Sequence, residues 1–288
     1  MITPVVCCFF IASSWWMAPP PASNYPWLRQ VPGERPAERL AERFSPPAGY
    51  DRLPGANHGF ADWLRNLPLR PEGTAVHLHS GHRKPEQGVH VAVVDIDTGR
   101  RDLQQCADAV MRLRAEYLFA TGCQDAIRFN FTSGDPARWT DWRSGMRPQV
   151  NGNKVVWRPG RSTDDSHANF RKYLDIVFTY AGSASLVREL KRVENPAEVL
   201  PGDVFIQGGY PGHAVLVLDV VQNQNGERRF LIGQSYMPAQ DFHILKNPGN
   251  RESAWYPARS SGALITPEWR FRYEDLHRFH PIDCRPGR

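Results

Sequence analysis

The chain has 288 residues, of which 41% are hydrophobic and 23% charged, a composition typical of globular proteins. This length allows one large domain or two small ones, each with a full hydrophobic core. The net charge of +5 comes from 35 basic and 30 acidic residues spread along the chain, so the sequence does not indicate a protein that binds nucleic acid.

The N-terminal residues resemble a secretory signal. An uncharged apolar run extends from Val5 to Ala18 and is followed by small residues and prolines. The run is too short to span a bilayer, and the basic residues that usually precede such a region are missing. We predict a signal segment over residues 1–23 and a periplasmic or secreted protein. The alternative is a true start at Met17 and a cytoplasmic protein.

The first half of the remaining chain contains the strongest helical pattern. An apolar face in FADWLRNL predicts a helix that ends at Pro68, and two strand-like runs, GTAVHLH and GVHVAVVDIDTG, follow it. In RDLQQCADAVMRLRAEYLFATG, apolar residues recur every three or four positions, which predicts a helix with Asp102 as cap or first-turn acid and Gly122 as stop.

The second half changes from helices to strands. After a strand in AIRFNFTSG, we predict a short helix that begins at Pro136 and is capped by Ser133 or Asp135. A second long helix follows a cap at Asp165 or Ser166, and Gly182 kinks or ends it. Strands in LPGDVFIQGGYPGHAVLVLD and RRFLIGQ then surround the hairpin turn NQNGERR. Helices followed by antiparallel strands favour the α+β class over a βαβ sheet.

Cys106 and His213 are the leading candidates for chemistry. Cys106 lies near the start of the strongest helix, where the partial positive charge of the amide groups lowers a thiol pKa. His213 follows a glycine at the start of an apolar strand, and an imidazole beside a thiol completes a nucleophile and base pair. Gln234, on the next strand, is placed to orient the ring. The side chains of Gln104 and Gln105 are weaker candidates as donors to an oxyanion.

Cys106 and His213 also have purely structural interpretations, in which His213 simply caps its strand. Cys106 falls on the apolar face of its helix, and cysteine is among the residues most often buried. Three cysteines remain outside the N-terminal segment, Cys106, Cys123 and Cys284, and an odd number at wide spacing does not indicate a disulfide framework. One leftover thiol is therefore a candidate for reactivity.

Two other polar clusters, one of histidines and one of aspartates, are weaker candidates for a functional site. His77 and His79 share one face of a predicted strand and are able to bind one metal ion, but a solvated loop is the favoured interpretation. Asp95 and Asp97 also share a face, although aspartates at strand ends commonly form turns. We predict no metal site, and no pattern in the sequence indicates a cofactor.

Two resemblances extend these predictions. The strings VVDIDTGRRDLQQCADAVMRLRAEYL, FNFTSGD, FRKYLDIVFTYAG and QSYMPAQDFHILKNP are similar to an uncharacterised bacterial family, domain of unknown function 4846, from about Tyr25 to about Phe279. That resemblance implies no activity.

The second resemblance covers about a third of the chain. LPGDVFIQGGYPGHAVLVLD resembles the strand pair of NlpC-type papain-like cell-wall peptidases and amidases. In those families the histidine is the base, a cysteine at a preceding helix start is the nucleophile, and a polar residue on the following strand orients the ring. The matching positions are His213, Cys106 and Gln234. The chain departs from the family pattern in the residues around Cys106 and in the long segment between Cys106 and His213.

We therefore expect residues 24–288 to form a single α+β domain, with an antiparallel sheet packed on a long helix, a papain-like core and N-terminal additions. The expected function is a thiol hydrolase of amide bonds that acts on a peptide or a cell-wall substrate. The alternative is a non-catalytic binding or structural protein that retains the same frame. A histidine-bound metal site is a third and weaker option.

Overall fold

The computed structural model describes residues 24–28, 38–54, 59–282 and 284. The predicted signal segment, residues 1–23, and the alternative start at Met17 lie outside the described residues. In the described part of the chain, no helix has both the length and the apolar composition that crossing a membrane requires.

The described residues contain six α-helices, and two of them, α3 and α5, supply most of the helical layer. Their bounds are α1 Leu40–Arg43, α2 Phe60–Arg65, α3 Cys106–Ala120, α4 Trp139–Arg143, α5 His167–Tyr180 and α6 Ser183–Glu189. Ser166 caps α5, because its hydroxyl accepts the backbone N–H of Asn169 at 3.2 Å. Gly182 separates α5 from α6, which confirms the predicted break in that helical pattern.

All strand pairings in the described residues are antiparallel. The strands are β1 Tyr50–Arg52, β2 His90–Val93, β3 Arg128–Asn130, β4 Pro136–Arg138, β5 Met146–Asn151, β6 Lys154–Pro159, β7 Lys191–Arg192, β8 Val204–Gln207, β9 His213–Asn223, β10 Arg228–Gln234, β11 His243–Leu245, β12 Tyr256–Pro257, β13 Ala263–Ile265, β14 Arg270–Arg272 and β15 Leu276–Arg278.

The main sheet has the order β2-β11-β10-β9-β8-β15-β7, with β1 paired to β9 and β12 paired to β10. The pairs β3–β4, β5–β6 and β13–β14 form separate two-stranded sheets. The fold thus combines helices with antiparallel sheets, as the predicted α+β class requires.

Strand β9 lies at the centre of the core and is buried on both faces. Ala214, Leu216 and Leu218 belong to the larger hydrophobic cluster, which also contains the apolar faces of α3 and α5. Val215 and Val217 point to the opposite face and join a second cluster. Because consecutive strand residues face opposite sides, burial of both faces explains why β9 reads as a continuous apolar run.

A buried carboxylate ties the N-terminal elements to this central strand. Asp219 of β9 is fully buried and accepts from Arg52 Nε of β1 at 2.7 Å and from Arg65 Nε of α2 at 2.6 Å. A charge this far from water requires such partners, so both arginines hold their elements against the sheet.

Two local predictions are wrong. The segment that begins at Pro136 is strand β4, paired with β3, and helix α4 begins only at Trp139. Ser133 and Asp135 lie in the turn of this hairpin, where the Ser133 hydroxyl donates to the Asp135 carboxylate at 2.8 Å. Further upstream, the GTAVHLH segment forms isolated bridges at His77 and Leu78 instead of a strand.

Candidate active site

Cys106 is the first residue of α3, as its sequence position suggested. Gln105 is the N-cap, and its backbone N–H donates to the Asp108 carboxylate at 3.1 Å, which closes the first turn. The prediction that Asp102 is the cap or the first-turn acid is therefore wrong, because Asp102 precedes the helix and Asp108 is the first-turn acid. Cys106 is partly exposed, and it is the free cysteine in the described part of the chain.

The environment of this thiol favours the protonated form. Burial, followed by the negative charge of Asp108, raises the pKa of Cys106 to about 11, although hydrogen bonds from the backbone N–H groups of Ala214, Ala107 and Cys106 itself lower it. The expectation that the helix start depresses the thiol pKa is therefore wrong. The amide groups act as expected, but desolvation outweighs them.

His213 is the first residue of β9, and its ring is almost fully buried. Its Nε2 lies 2.7 Å from Oε1 of Gln234, the last residue of β10. Three aromatic rings surround the imidazole, with centroid distances of 4.8 Å to Tyr236, 5.2 Å to Trp269 and 5.8 Å to Phe271. Burial lowers the pKa of His213 to about 4, so the ring is neutral at pH 7.

Gly212, the residue before His213, has no room for a side chain, because a Cβ there would collide with the backbone. A Cβ at Gly212 would lie 2.5 Å from the carbonyl oxygen of Gly209, 2.5 Å from Ser183 Oγ and 2.8 Å from the carbonyl oxygen of Gln207. Glycine before His213 is thus a consequence of the tight turn between β8 and β9.

The backbone brings Cys106 close to the start of β9. Helix α3 packs against β9, and the backbone N–H of Ala214, the residue after His213, lowers the pKa of the Cys106 thiol. No hydrogen bond between the Cys106 sulfur and the His213 ring occurs among the described residues. The second ring nitrogen, Nδ1, has no hydrogen-bond partner among the described residues.

Gln234 links this histidine to a buried ion pair that the sequence did not indicate. Gln234 Nε2 donates to Glu268 Oε2 at 2.8 Å, and Lys84 Nζ donates to Glu268 Oε1 at 2.5 Å. His243 of β11 lies behind the same amide, with its Nε2 3.5 Å from Gln234 Nε2. Glu268 and Lys84 lie in irregular segments without a recognisable spacing, so periodicity gave no signal for them.

The two predicted oxyanion donors have other partners. The side chain of Gln104 donates to the carbonyl oxygen of Asp97 at 3.1 Å, and that of Gln105 donates to the Asp102 carboxylate at 3.0 Å. Neither amide contacts the sulfur of Cys106 in this arrangement. The backbone N–H groups at the start of α3 are the donors that face it.

A buried arginine fixes the loop that leads to Cys106. Arg112 of α3 donates to the side chains of Gln104 and Asp97, each at 2.9 Å, and to Glu116 at 2.6 Å. Burial opposes ionisation of Asp97, but Arg112 and Arg171 outweigh it and lower the pKa of Asp97 to about 2. Asp97 is thus a structural anion.

The remaining candidates do not form a second centre. Asp95 pairs with Arg70 at 3.5 Å, apart from the partners of Asp97. His77 lies 3.6 Å from Asp241, and His79 lies near the carbonyl oxygen of Arg100. Among the described residues, no group of three or more histidine, cysteine, aspartate or glutamate side chains is arranged to hold a metal ion.

The other two cysteines form a disulfide. Cys123 and Cys284 are bonded, with Cα atoms 5.7 Å apart and a sequence separation of 161. The wide spacing did not indicate this pairing, because only the fold brings the C-terminal residues back to the end of α3. Cys106 is left as the free thiol in the described part of the chain.

Comparison with known proteins identifies the family. The model of domain of unknown function 4846 matches residues 40–278, which covers most of the chain and all of the candidate site residues. The chain belongs to this family. For this member of domain of unknown function 4846, comparisons with curated proteins and with solved structures found no match.

Proposed function

We propose that this member of domain of unknown function 4846 is a thiol hydrolase of amide bonds that uses Cys106, His213 and Gln234. The observation that carries the proposal is a free thiol at the start of α3, a helix that packs against β9. His213 is the first residue of β9, and its Nε2 lies 2.7 Å from the amide oxygen of Gln234. A nucleophile, a base and a group that orients the base are the elements of such chemistry. These are the roles that the sequence resemblance to NlpC-type papain-like peptidases implies for the three residues.

The proposed reaction begins from a neutral pair. As the Cys106 sulfur attacks the substrate carbonyl carbon, its proton moves to Nδ1 of His213. The resulting oxyanion lies near the backbone N–H groups at the start of α3. The C–N bond then breaks, and the imidazolium gives its proton to the leaving amine. Water hydrolyses the thioester with His213 as base and regenerates the thiol.

The thiol and the ring must come closer than they lie in the resting structure. In the proposed reaction a rotation of the Cys106 side chain redirects its sulfur, and catalytic hydrogen bonds often tighten only when substrate is bound. The absence of a hydrogen-bond partner at Nδ1 of His213 among the described residues and the partial exposure of Cys106 support this step.

Exposed apolar residues near the ends of β8 and β10 support a peptide substrate. Tyr210, in the loop before His213, is 94% exposed, and Met237, shortly after Gln234, is 56% exposed. In the proposed enzyme, these exposed apolar side chains would contact the side chains of a bound substrate. A peptide or cell-wall peptide provides matching side chains.

The disulfide supports export of the protein. Structural disulfides such as Cys123–Cys284 persist in oxidising compartments and are rare in reducing ones. We propose a periplasmic or secreted location, where a cell-wall substrate is accessible.

The protonation states also favour a second candidate, a non-catalytic binding protein. A thiol with a pKa of about 11 and a histidine enclosed by three aromatic rings are typical of side chains that pack and stay neutral. In that case Cys106 and His213 would stabilise a frame whose exposed loops bind a partner.

Acyl transfer to Cys106 distinguishes the two candidates. With the p-nitrophenyl ester of an N-acetylated dipeptide, we expect a burst of about one equivalent of p-nitrophenolate and a thioester on Cys106 in the intact mass. Cys106→Ala should lose both signals. Ester cleavage that continues in Cys106→Ala, or the absence of a thioester in the wild type, would rule out the hydrolase.

A further inference from the structure

We infer that Glu268 and Lys84 form a positioning pair that fixes the orientation of the Gln234 amide and, through it, the tautomer of His213. The inference gives these two residues a role in the proposed function. Its structural content, which ring nitrogen carries the proton, does not depend on catalysis.

The Glu268–Lys84 pair determines which atom of the Gln234 amide faces the carboxylate. Glu268 accepts from Lys84 through one oxygen, at 2.5 Å, and faces Gln234 with the other, at 2.8 Å. A carboxylate paired with an ammonium group has no proton to donate. The atom of Gln234 that faces it must therefore be the amide nitrogen, and the amide oxygen must face His213.

The orientation of the Gln234 amide determines which nitrogen of the His213 ring carries the proton. An amide oxygen only accepts hydrogen bonds, so Nε2 of His213, 2.7 Å away, must carry the proton. In a neutral ring, Nδ1 is then unprotonated. Nδ1 is the nitrogen that the proposed reaction needs as proton acceptor.

His243 provides an independent check of the same network. Its Nδ1 lies 2.8 Å from the carbonyl oxygen of Asp241 and must donate to it. Its Nε2 is therefore unprotonated and accepts from the second N–H of Gln234, at 3.5 Å. The two histidines on either side of Gln234 consequently have opposite tautomers.

Burial makes the network sensitive to each member. Gln234 and His243 are fully buried, and His213 is 2% exposed, so water does not replace a lost partner at low cost. Lys84 is also buried and pairs with a carboxylate 184 residues away in sequence. An ion pair in such surroundings does not by itself indicate a gain in stability. The specific effect of the Glu268–Lys84 pair is the orientation of Gln234.

Nitrogen NMR of histidine side chains tests the inference. In the wild type at pH 7, we expect the proton of His213 on Nε2 and that of His243 on Nδ1, with signals assigned through His213→Gln and His243→Gln. A wild-type His213 with its proton on Nδ1 would overturn the inference without any variant of Glu268.

Glu268→Gln isolates the effect of the carboxylate. Lys84 retains the amide oxygen of the new side chain, so its amide nitrogen faces Gln234. Gln234 then inverts, and we expect the proton signal to be lost from Nε2 of His213 and gained at Nδ1. Lys84→Arg is the matched control, because it changes the partner of Glu268 while leaving the acceptor, and it should keep the wild-type tautomer.

The outcomes separate this inference from the proposed function. An unchanged tautomer in folded Glu268→Gln would refute the positioning role even if Cys106 accepts acyl groups. The positioning role would be supported if His213 and His243 have opposite tautomers in the wild type and lose this difference in Glu268→Gln. That result would support it even if Cys106 accepts no acyl group. If Glu268→Gln does not fold, the wild-type tautomers still decide whether the network exists as described.

Discussion

At the scale of single residues, the candidate site combines a thiol and an imidazole that are both neutral in the resting state. Burial raises the pKa of Cys106 to about 11 and lowers that of His213 to about 4. In the proposed reaction, attack by Cys106 thus requires proton transfer during the attack itself, with neutral His213 as base. This differs from a preformed thiolate–imidazolium pair.

The low pKa of His213 predicts an unusual pH dependence. The basic form exists above the pKa, so the rate of Cys106 acylation should stay nearly constant from pH 8 to about 5 and fall as pH decreases through about 4. A histidine with an unperturbed pKa would give a decrease in the acylation rate near pH 6.5. Acylation rates between pH 3 and 8, with tryptophan fluorescence to verify folding, check this prediction. A midpoint near 6.5 in folded protein would contradict it.

Individual residues differed in how far the sequence predicted them. Cys106, His213 and Gln234 were visible because each occupies the end of a regular element with a clear hydrophobic pattern. Glu268 and Lys84 were not, because only the tertiary fold brings their segments to Gln234. The thiol pKa was wrongly predicted for the same reason, since desolvation depends on neighbours from several elements.

At the scale of elements, the turn between β8 and β9 determines where His213 begins its strand. Gly212→Ala places a methyl group within 2.8 Å or less of two backbone oxygens. We expect a loss of about 1–3 kcal/mol of unfolding free energy, typical of overpacking, together with slower acylation of Cys106. Urea unfolding and acylation kinetics measure the two effects.

Gly182→Ala is the matched control for that substitution. A Cβ at Gly182 has no neighbour within 4 Å, and its backbone is extended, so alanine fits without strain. We expect stability within about 0.5 kcal/mol of the wild type. Equal effects of the two substitutions would contradict the steric explanation for Gly212.

Long periodic elements were predicted well, and short ones were not. The pattern around α3, the break at Gly182 and the strands β8, β9 and β10 follow from local signals. Pro136 instead begins β4, because pairing with β3 overrides the preference of proline for a helix start. Such pairing is a tertiary effect that a single-segment pattern does not contain.

At the scale of the whole molecule, the Cys123–Cys284 disulfide connects the end of α3 to the C-terminal segment. Its two cysteines are separated by 161 positions, so the bond restricts the unfolded chain over a long loop. We expect the double variant Cys123→Ala, Cys284→Ala to lose roughly 2–5 kcal/mol of unfolding free energy.

Urea unfolding of the double variant and peptide mapping of the unreduced wild type test this bond. Cys106→Ala is the control, because it removes a thiol and keeps the disulfide. Absence of the linked peptide, or equal stability of the double variant and the wild type, would contradict the prediction.

The antiparallel architecture was predictable because the later half of the chain consists of consecutive strands with turn residues between them. The order of the sheet was not, since β2 and β1 join it from the N-terminal half. Nor was the disulfide, because cysteine spacing carries no information about which segments meet in space.

The central claim, that His213 acts as the base for Cys106, is tested most directly by the rate of Cys106 acylation at pH 7 in the wild type and in His213→Gln. The account predicts a decrease of roughly 10²-fold or more in His213→Gln, the range expected when a general base is removed. Acylation of Cys106 at equal rates in the wild type and in folded His213→Gln would contradict it.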